Sequence, residues 1–309
     1  MTTNLSIVLE PTPPFRLDIT TWTLRRRPDN IIDRWDGRVY RRVLIKNDQP
    51  FEIAVSQFGD SHKPQLQLEV TSEFEIPGLK EHATSMVERL LGIHINLGEF
   101  YRFGENDEML NISLNRFRGL KPPRFPTYFE ALANAIACQQ LTLTVGIRLL
   151  NSLAERYGPT IHTSDGTFYG FPRPQDLAKA DKEALRAMGF SYQKASYLIG
   201  LSQAISNEEL DLEEIAKLGD EDAVKQLCTL KGVGRWTAEY FLLRGLGRTH
   251  VFPGDDVGAR KNLESWLDLP EKLNYDGVHE TLKPWNRYGG LIYFHLLLKS
   301  LTEKGTVPF

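Results

Sequence analysis

Hydrophobic and polar positions change their rhythm about a third of the way along the chain. Leu66-Gln67-Leu68-Glu69-Val70 alternates at every step, the period of a strand with one buried face. Two β-rich runs precede it, at 39–45 and 51–55, and the polar segment between them ends in Pro50; together they predict a hairpin. A helical spacing follows over 80–91. The stretch from Phe15 to about Gly119 therefore reads as an antiparallel sheet with a helix or two on it. Lys121-Pro122-Pro123-Arg124-Phe125-Pro126 then interrupts any regular element, because proline fixes φ and removes an amide donor. Beyond this boundary the apolar positions are helical throughout. Helices are predicted over 128–137 and 142–157, with a break at Gln139-Gln140-Leu141-Thr142. Others follow at 175–179, 182–188, 193–205, 212–218, 221–230, 235–246, 256–267, 275–284 and 288–302, and Gly247 stands where a helix end takes a left-handed residue. The fold class is α+β, with an N-terminal α+β domain over 1–120 and an all-α region over 121–309.

Within the helical part, Leu230-Lys231-Gly232-Val233-Gly234-Arg235-Trp236-Thr237-Ala238 joins two helices through a glycine-flanked turn. Glycine tolerates positive φ and offers no Cβ, so the backbone at 232 and 234 can approach a second backbone such as a phosphodiester. The amides that open the next helix are unpaired and carry partial positive charge, which suits a phosphate oxygen. One helix later comes Phe252-Pro253-Gly254-Asp255-Asp256. The bland account of the two acids is capping of the helix that starts there, a role that suits Asp255 and leaves Asp256 free for chemistry.

Hairpin, helix and acid in this order resemble the helix-hairpin-helix base-excision DNA glycosylases with the Gly/Pro…Asp signature, and among them the DNA-3-methyladenine glycosylase II family. The resemblance runs from about Pro123 to Lys304, with a looser match in the N-terminal domain. It implies two helical subdomains with the active-site cleft between them. It also implies a catalytic role for Asp256, stabilising an oxocarbenium-like sugar and assisting water. Gly232, Val233, Gly234, Arg235 and Thr237 would then grip DNA. Gln140 or Leu141 occupies the place of the wedge that fills the gap left by a flipped nucleotide. Relatives with lyase activity carry a lysine where this chain has Trp236, so the resemblance implies a monofunctional enzyme that uses water.

The Trp236 indole face suits a cationic alkylated purine. Tyr240, one turn on, with Trp285 and Tyr288, would complete an aromatic base pocket, although Val257 stands where the family often has an aromatic. The expected substrate is double-stranded DNA bearing 3-methyladenine or 7-methylguanine. The two rivals are a glycosylase for neutral oxidised or deaminated bases and a lesion-binding protein without chemistry.

Composition adjusts this picture in three ways. The 309 residues are 41% hydrophobic and 25% charged, enough for a substantial core, with no apolar run that spans a membrane and no leader after Met-Thr-Thr-Asn-Leu; a cytoplasmic monomer is the expectation. Cys138 and Cys228 cannot ligate an iron–sulfur cluster, which needs four thiolates, and the seven histidines lack paired ligand spacing. No cofactor is called for, although the resemblance admits a structural monovalent cation on the hairpin carbonyls. The charge balance, 40 acidic against 37 basic, opposes long-range attraction to DNA. A grip made from backbone amides needs only a local positive face. Arg25-Arg26-Arg27, with Arg38, Arg41 and Arg42, reads as a solvated face.

Overall fold

The computed structural model describes residues 3–307. Five strands form one antiparallel sheet: β1 (Thr3–Leu9), β2 (Arg34–Trp35), β3 (Val39–Lys46), β4 (Gln49–Phe58) and β5 (Gln65–Ser72), in the order β1-β5-β4-β3-β2. The hairpin expected around Pro50 is present, with Ile45 opposite Pro50 and Leu44 opposite Phe51. Alternation decides the facing: Phe51, Ile53 and Val55 of β4 and Leu66, Leu68 and Val70 of β5 are all buried. Helix α1 (Leu17–Arg25) precedes β2, while α2 (Leu79–Leu91), α3 (Gly98–Glu105) and α4 (Glu108–Arg116) follow β5.

Past the proline-rich stretch run α5 (Tyr128–Cys138) and α6 (Leu143–Tyr157). The helical pattern is then interrupted by a small hairpin, β6 (Thr160–Thr163) and β7 (Gly166–Tyr169), which corrects the expectation that everything here is helical. Next come α7 (Pro174–Leu177), α8 (Lys182–Ala187), α9 (Tyr192–Ser206), α10 (Leu212–Lys217), α11 (Asp220–Leu227) and α12 (Arg235–Phe241). The last of these widens into a π-helical turn, Leu242–Leu246, closed by Gly247 at φ 80°. Helices α13 (Val257–Trp266), α14 (Tyr275–Leu282) and α15 (Gly289–Glu303) complete the chain, with a 3-10 turn, Lys283–Tyr288, before α15.

Helix α5 is the innermost element, buried continuously from Phe129 to Ala137. Its alanines let α6, α9 and α12 pack close around it, and Thr127 caps its start by accepting the Glu130 amide. Burial of this sort stabilises by roughly 1.5–3 kcal/mol for each large aliphatic side chain. The two apolar clusters each mix the N-terminal part with the helical part. One joins the sheet to α5 through α12; the other joins α1, α3 and α4 to α13 and α15.

Half of the arginine-rich face is inside the protein, which corrects its reading as solvated for Arg25, Arg26 and Arg42 and leaves it for Arg27, Arg38 and Arg41. Arg25 is buried and donates to the carbonyls of Arg27 and Trp35. Arg42 is wholly buried, bound to Asp33 and to Glu130 of α5. Arg26 is buried as well, while Arg38 stays exposed. Nearby main-chain carbonyls take Arg25, Asp33 and the distant Glu130 take Arg42, and Tyr240 and Asn134 take Arg26, and no run of charges along the chain reveals them.

Candidate active site

The turn between α11 and α12 is built on one obligatory glycine. Gly232 has φ 85°, and a Cβ there would lie 2.2 Å from the Tyr197 ring. Gly234 differs from expectation: its φ is −102°, which any residue adopts, and nothing lies within 4 Å of where a Cβ would stand, so its backbone is left bare. Val233 is buried and Thr237 is almost completely so, with its hydroxyl accepting the Gln139 amide at 2.8 Å. These two residues therefore reach a ligand only through their main chain. The Gln139 amide also donates to the Gly232 carbonyl at 2.7 Å, and the Leu230 carbonyl accepts the Val233 amide at 3.1 Å. One hydrogen bond leaves each of these carbonyls a second lone pair, so the turn keeps acceptor capacity for the monovalent cation that the resemblance admits. Among the described residues no group of three or more His, Cys, Asp and Glu is placed to hold a metal.

Gln139 ties the hairpin to the end of α5, and Lys194 of α9 fastens the same end by donating to the Ala137 and Gln139 carbonyls at 3.0 and 2.5 Å. Between these anchors Gln140 takes a left-handed conformation, φ 54°, and Gln140 and Leu141 stand exposed at the tip. A rigidly held turn with an apolar point lies beside the hairpin.

Asp256 is where the sequence and the structure differ in detail. It, and not Asp255, is the N-cap of α13: its Oδ1 accepts the Ala259 amide at 2.8 Å. Its Oδ2 accepts the indole N–H of Trp236 at 3.1 Å. Asp255 instead accepts from Arg235 Nε at 2.8 Å, and the Arg235 guanidinium lies 3.4 Å over the Tyr275 ring. Arg235 is thus exposed but paired. Behind this, Glu239 accepts from the Gly254 amide at 3.1 Å and from the Tyr275 hydroxyl at 2.6 Å, so the loop carrying the acids is pinned to the helix carrying Trp236. Burial raises the Glu239 carboxyl above its ordinary range despite those two donors.

Of the four aromatics expected at a base pocket, two meet. Trp236 and Tyr240 lie 5.5 Å apart at 35°, Trp236 half-buried and Tyr240 buried beneath it. The other two point elsewhere. Trp285 stacks on Trp266 and donates to Asp107, at the far end of α13, about 14 Å along the helix from Asp256. Tyr288 packs between Phe100 and Phe103.

A family model described as HhH-GPD superfamily base excision DNA repair protein matches residues 133–287. The chain belongs to the HhH-GPD superfamily. A DNA-3-methyladenine glycosylase of Bacillus subtilis (strain 168) is 27% identical over 217 residues, covering 70% of this chain and 72% of its own. The structure of a 3-methyladenine DNA-glycosylase from Archaeoglobus fulgidus superposes with a TM-score of 0.82 at 28% identity, over 94% of this chain and 97% of the other. A Clostridium acetobutylicum 8-oxoguanine glycosylase/lyase bound to DNA gives 0.76 at 18% identity over 98% of each chain, a likeness of fold alone.

Two side chains packed close to Trp236 and Asp256 were not visible in the sequence. Gly289 and Gly290 let the start of α15 press on the 249–252 segment, where a Cβ would sit 2.7 Å from the His250 carbonyl and 2.5 Å from Leu243. One turn on, Tyr293 packs edge-on against Phe252; burial first, then the Asp256 charge, pushes its phenol well up. The second is Arg26, whose guanidinium donates to the Tyr240 hydroxyl at 3.0 Å and to Asn134 at 2.8 Å. Tyr293 could have been sought among aromatics at helical spacing after a Gly-Gly pair. For Arg26, 214 residues from Tyr240, no local signal existed.

Proposed function

We infer that this chain is a monofunctional DNA glycosylase that hydrolyses the N-glycosidic bond of alkylated purines in double-stranded DNA, leaving an abasic site. The observation that carries this reading is the Asp256 carboxylate, held by two N–H donors and set beside an exposed glycine turn, with an indole where a Schiff-base lysine would stand. The relatives named DNA-3-methyladenine glycosylase support the substrate class.

The Gly234 main chain and the first amides of α12 take a phosphate oxygen, which positions the strand. The Leu141 tip enters the stack as the target nucleotide rotates out. The flipped base lies toward Trp236, where ring electrons attract its positive charge. As the glycosidic bond lengthens, the sugar becomes cationic, and Asp256, already oriented, stabilises it and receives the proton of the attacking water. An alkylated cation departs as a neutral molecule, so this modest assistance suffices. The fixed carboxylate disfavours a purely lesion-binding role. The protein works as a monomer in the cytoplasm.

The test is incubation with methylated duplex DNA and identification of the released bases, with borohydride added in a parallel reaction. Free 3-methyladenine and 7-methylguanine without a covalent protein–DNA adduct is the expected result. A trapped adduct would overturn the monofunctional assignment, and intact DNA would overturn the activity.

A further inference from the structure

The turn that carries Asp256 is held more from outside than from within. A backbone bond closes it, from the Asp256 amide to the Pro253 carbonyl at 3.0 Å. Three outer contacts then converge on one residue of α14, Tyr275. Its ring lies on the bare backbone of Gly254, where a Cβ would fall 2.8 Å from ring carbon Cδ2, so only glycine leaves room for it. The Arg235 guanidinium lies 3.4 Å over the same ring and donates to Asp255 at 2.8 Å. The Tyr275 hydroxyl donates to Glu239 at 2.6 Å, and the other oxygen of that carboxylate accepts the Gly254 amide at 3.1 Å. Residues 254 and 255, the two that precede Asp256, are therefore both tied to Tyr275.

Tyr275 can serve as a fixed post because the start of its helix is braced. Asn274 caps α14 by accepting the Gly277 amide at 2.7 Å, and the Leu273 amide donates at 2.8 Å to Glu264 of α13, the helix that Asp256 itself caps. Burial first, then the bond to Glu239, raises the Tyr275 phenol above its ordinary range, so tyrosine remains the donor. Glu239 stands one turn after Trp236 on α12, and that helix holds the loop at two points, the indole at Asp256 and the carboxylate at Gly254. Glu239 is 6% exposed, which leaves an oxygen that lost its donor without ready access to water. The carboxylate would rotate, and the Gly254 amide would follow it.

Resting on the glycosylase reading above, we propose that Tyr275 is a positioning residue for excision: acting through Glu239, it fixes the Pro253–Asp256 turn and so sets where the Asp256 carboxylate points. Its part is geometric, and it gives no proton to base or sugar. A carboxylate displaced by about 1 Å from the developing charge loses much of its effect, and a misplacement of that size costs up to about a hundredfold in rate. Glycine at 254 and an acid at 239 then share one purpose, which neither the helical pattern nor the hairpin accounts for.

Tyr275→Phe is the sharpest probe, because it keeps the ring on Gly254 and under Arg235 and removes only the hydroxyl. Single-turnover release of 7-methylguanine from methylated duplex DNA is measured for the wild type, Tyr275→Phe, Glu239→Ala and the double variant. Each rate is normalised to the number of sites that bind abasic-site duplex, so that unfolded protein does not count. The expected result is a rate about tenfold lower per site in each single variant, with abasic-site affinity within about threefold of wild type. The double variant loses no more than about twofold beyond either single one, because both changes cut the same relay. A Tyr275→Phe rate within about twofold of wild type overturns the proposal. So do losses that multiply in the double variant, since the two residues then act independently, and affinity that falls in step with rate, which puts Tyr275 in the grip. Wild-type protein that releases no methylated base instead removes the glycosylase reading, and this proposal with it.

Discussion

Asp256→Asn separates chemistry from folding, because the two carboxylate oxygens have different partners. Oδ1 accepts the Ala259 amide and Oδ2 the Trp236 indole. Asparagine has one side-chain oxygen. If it stays on Ala259 the cap survives, since Asn caps about as well as Asp, but the amide NH2 then faces the indole N–H, donor against donor. That mismatch costs about 1–3 kcal/mol. Turning the amide around satisfies the indole and gives up the cap, about 1 kcal/mol. The cheaper arrangement sets the stability loss near 1 kcal/mol, a fall in Tm of about 1.5 °C for a chain of this size.

The catalytic loss is larger. A carboxylate about 4 Å from a developing sugar cation contributes about 4 kcal/mol at an effective dielectric constant of 20. Its removal slows the step about a thousandfold. Single-turnover release of 7-methylguanine from duplex DNA reads the chemistry, thermal unfolding reads the cap, and binding to abasic-site duplex, expected within about threefold of wild type, reads the grip. Single-turnover rates within about tenfold of wild type would refute the assignment, because no fold-level effect could mask so large a term.

Three further outcomes are expected. Trp236→Phe keeps a ring over the base but removes the N–H on Asp256, so excision falls about tenfold while DNA affinity holds; equal losses would mean that the indole serves the fold. Leu141→Ala slows excision from duplex DNA by about tenfold and leaves a single-stranded substrate unaffected, and equal effects on the two would remove the wedge role. His295, buried in α15 with its pKa lowered by burial to about 4, is neutral when folded and protonates at about 6.5 when unfolded. Stability therefore falls as pH drops from 6.5 toward 4, by up to about 3 kcal/mol. Denaturant titrations of wild type and His295→Phe should diverge in that window, and superimposed pH profiles would exclude the histidine as the cause.

How much was legible depended on how far apart the cooperating residues lie. β3, β4 and β5 show in alternation because one face of each is buried. β1 carries the same signal in Leu5, Ile7 and Leu9. β6 and β7 are four residues each and largely exposed, so no apolar period marks them; only Asp165-Gly166 hints at the turn. The predicted helices all formed, with 175–179 reduced to a single turn and 235–246 changing to π geometry at Leu242.

The same distinction governs the site. Gly232, Trp236 and Asp256 lie within 25 positions, and the hairpin pattern brought them forward together. Trp285 and Tyr288 belong to the right stretch of chain, but the irregular 3-10 turn rotates them onto α13 and α3. The residues that do pack near Trp236 and Asp256, Tyr293 and Arg26, are set by helix packing across the whole molecule.

The salt link between Arg42 and Glu130 bears on how such a protein can change over time. The innermost helix of the DNA-handling half holds an acid whose neutralising partner arrives from a strand in the other half. A gene shortened to start near the proline-rich stretch would remove Arg42 together with the strand that covers Glu130, so the acid would meet water while the apolar residues beside it on the same helix lost their cover. An acid at 130 thus becomes harmless once the sheet is gone, and it is the neighbouring apolar positions that a lineage shedding its amino-terminal third would have to make polar.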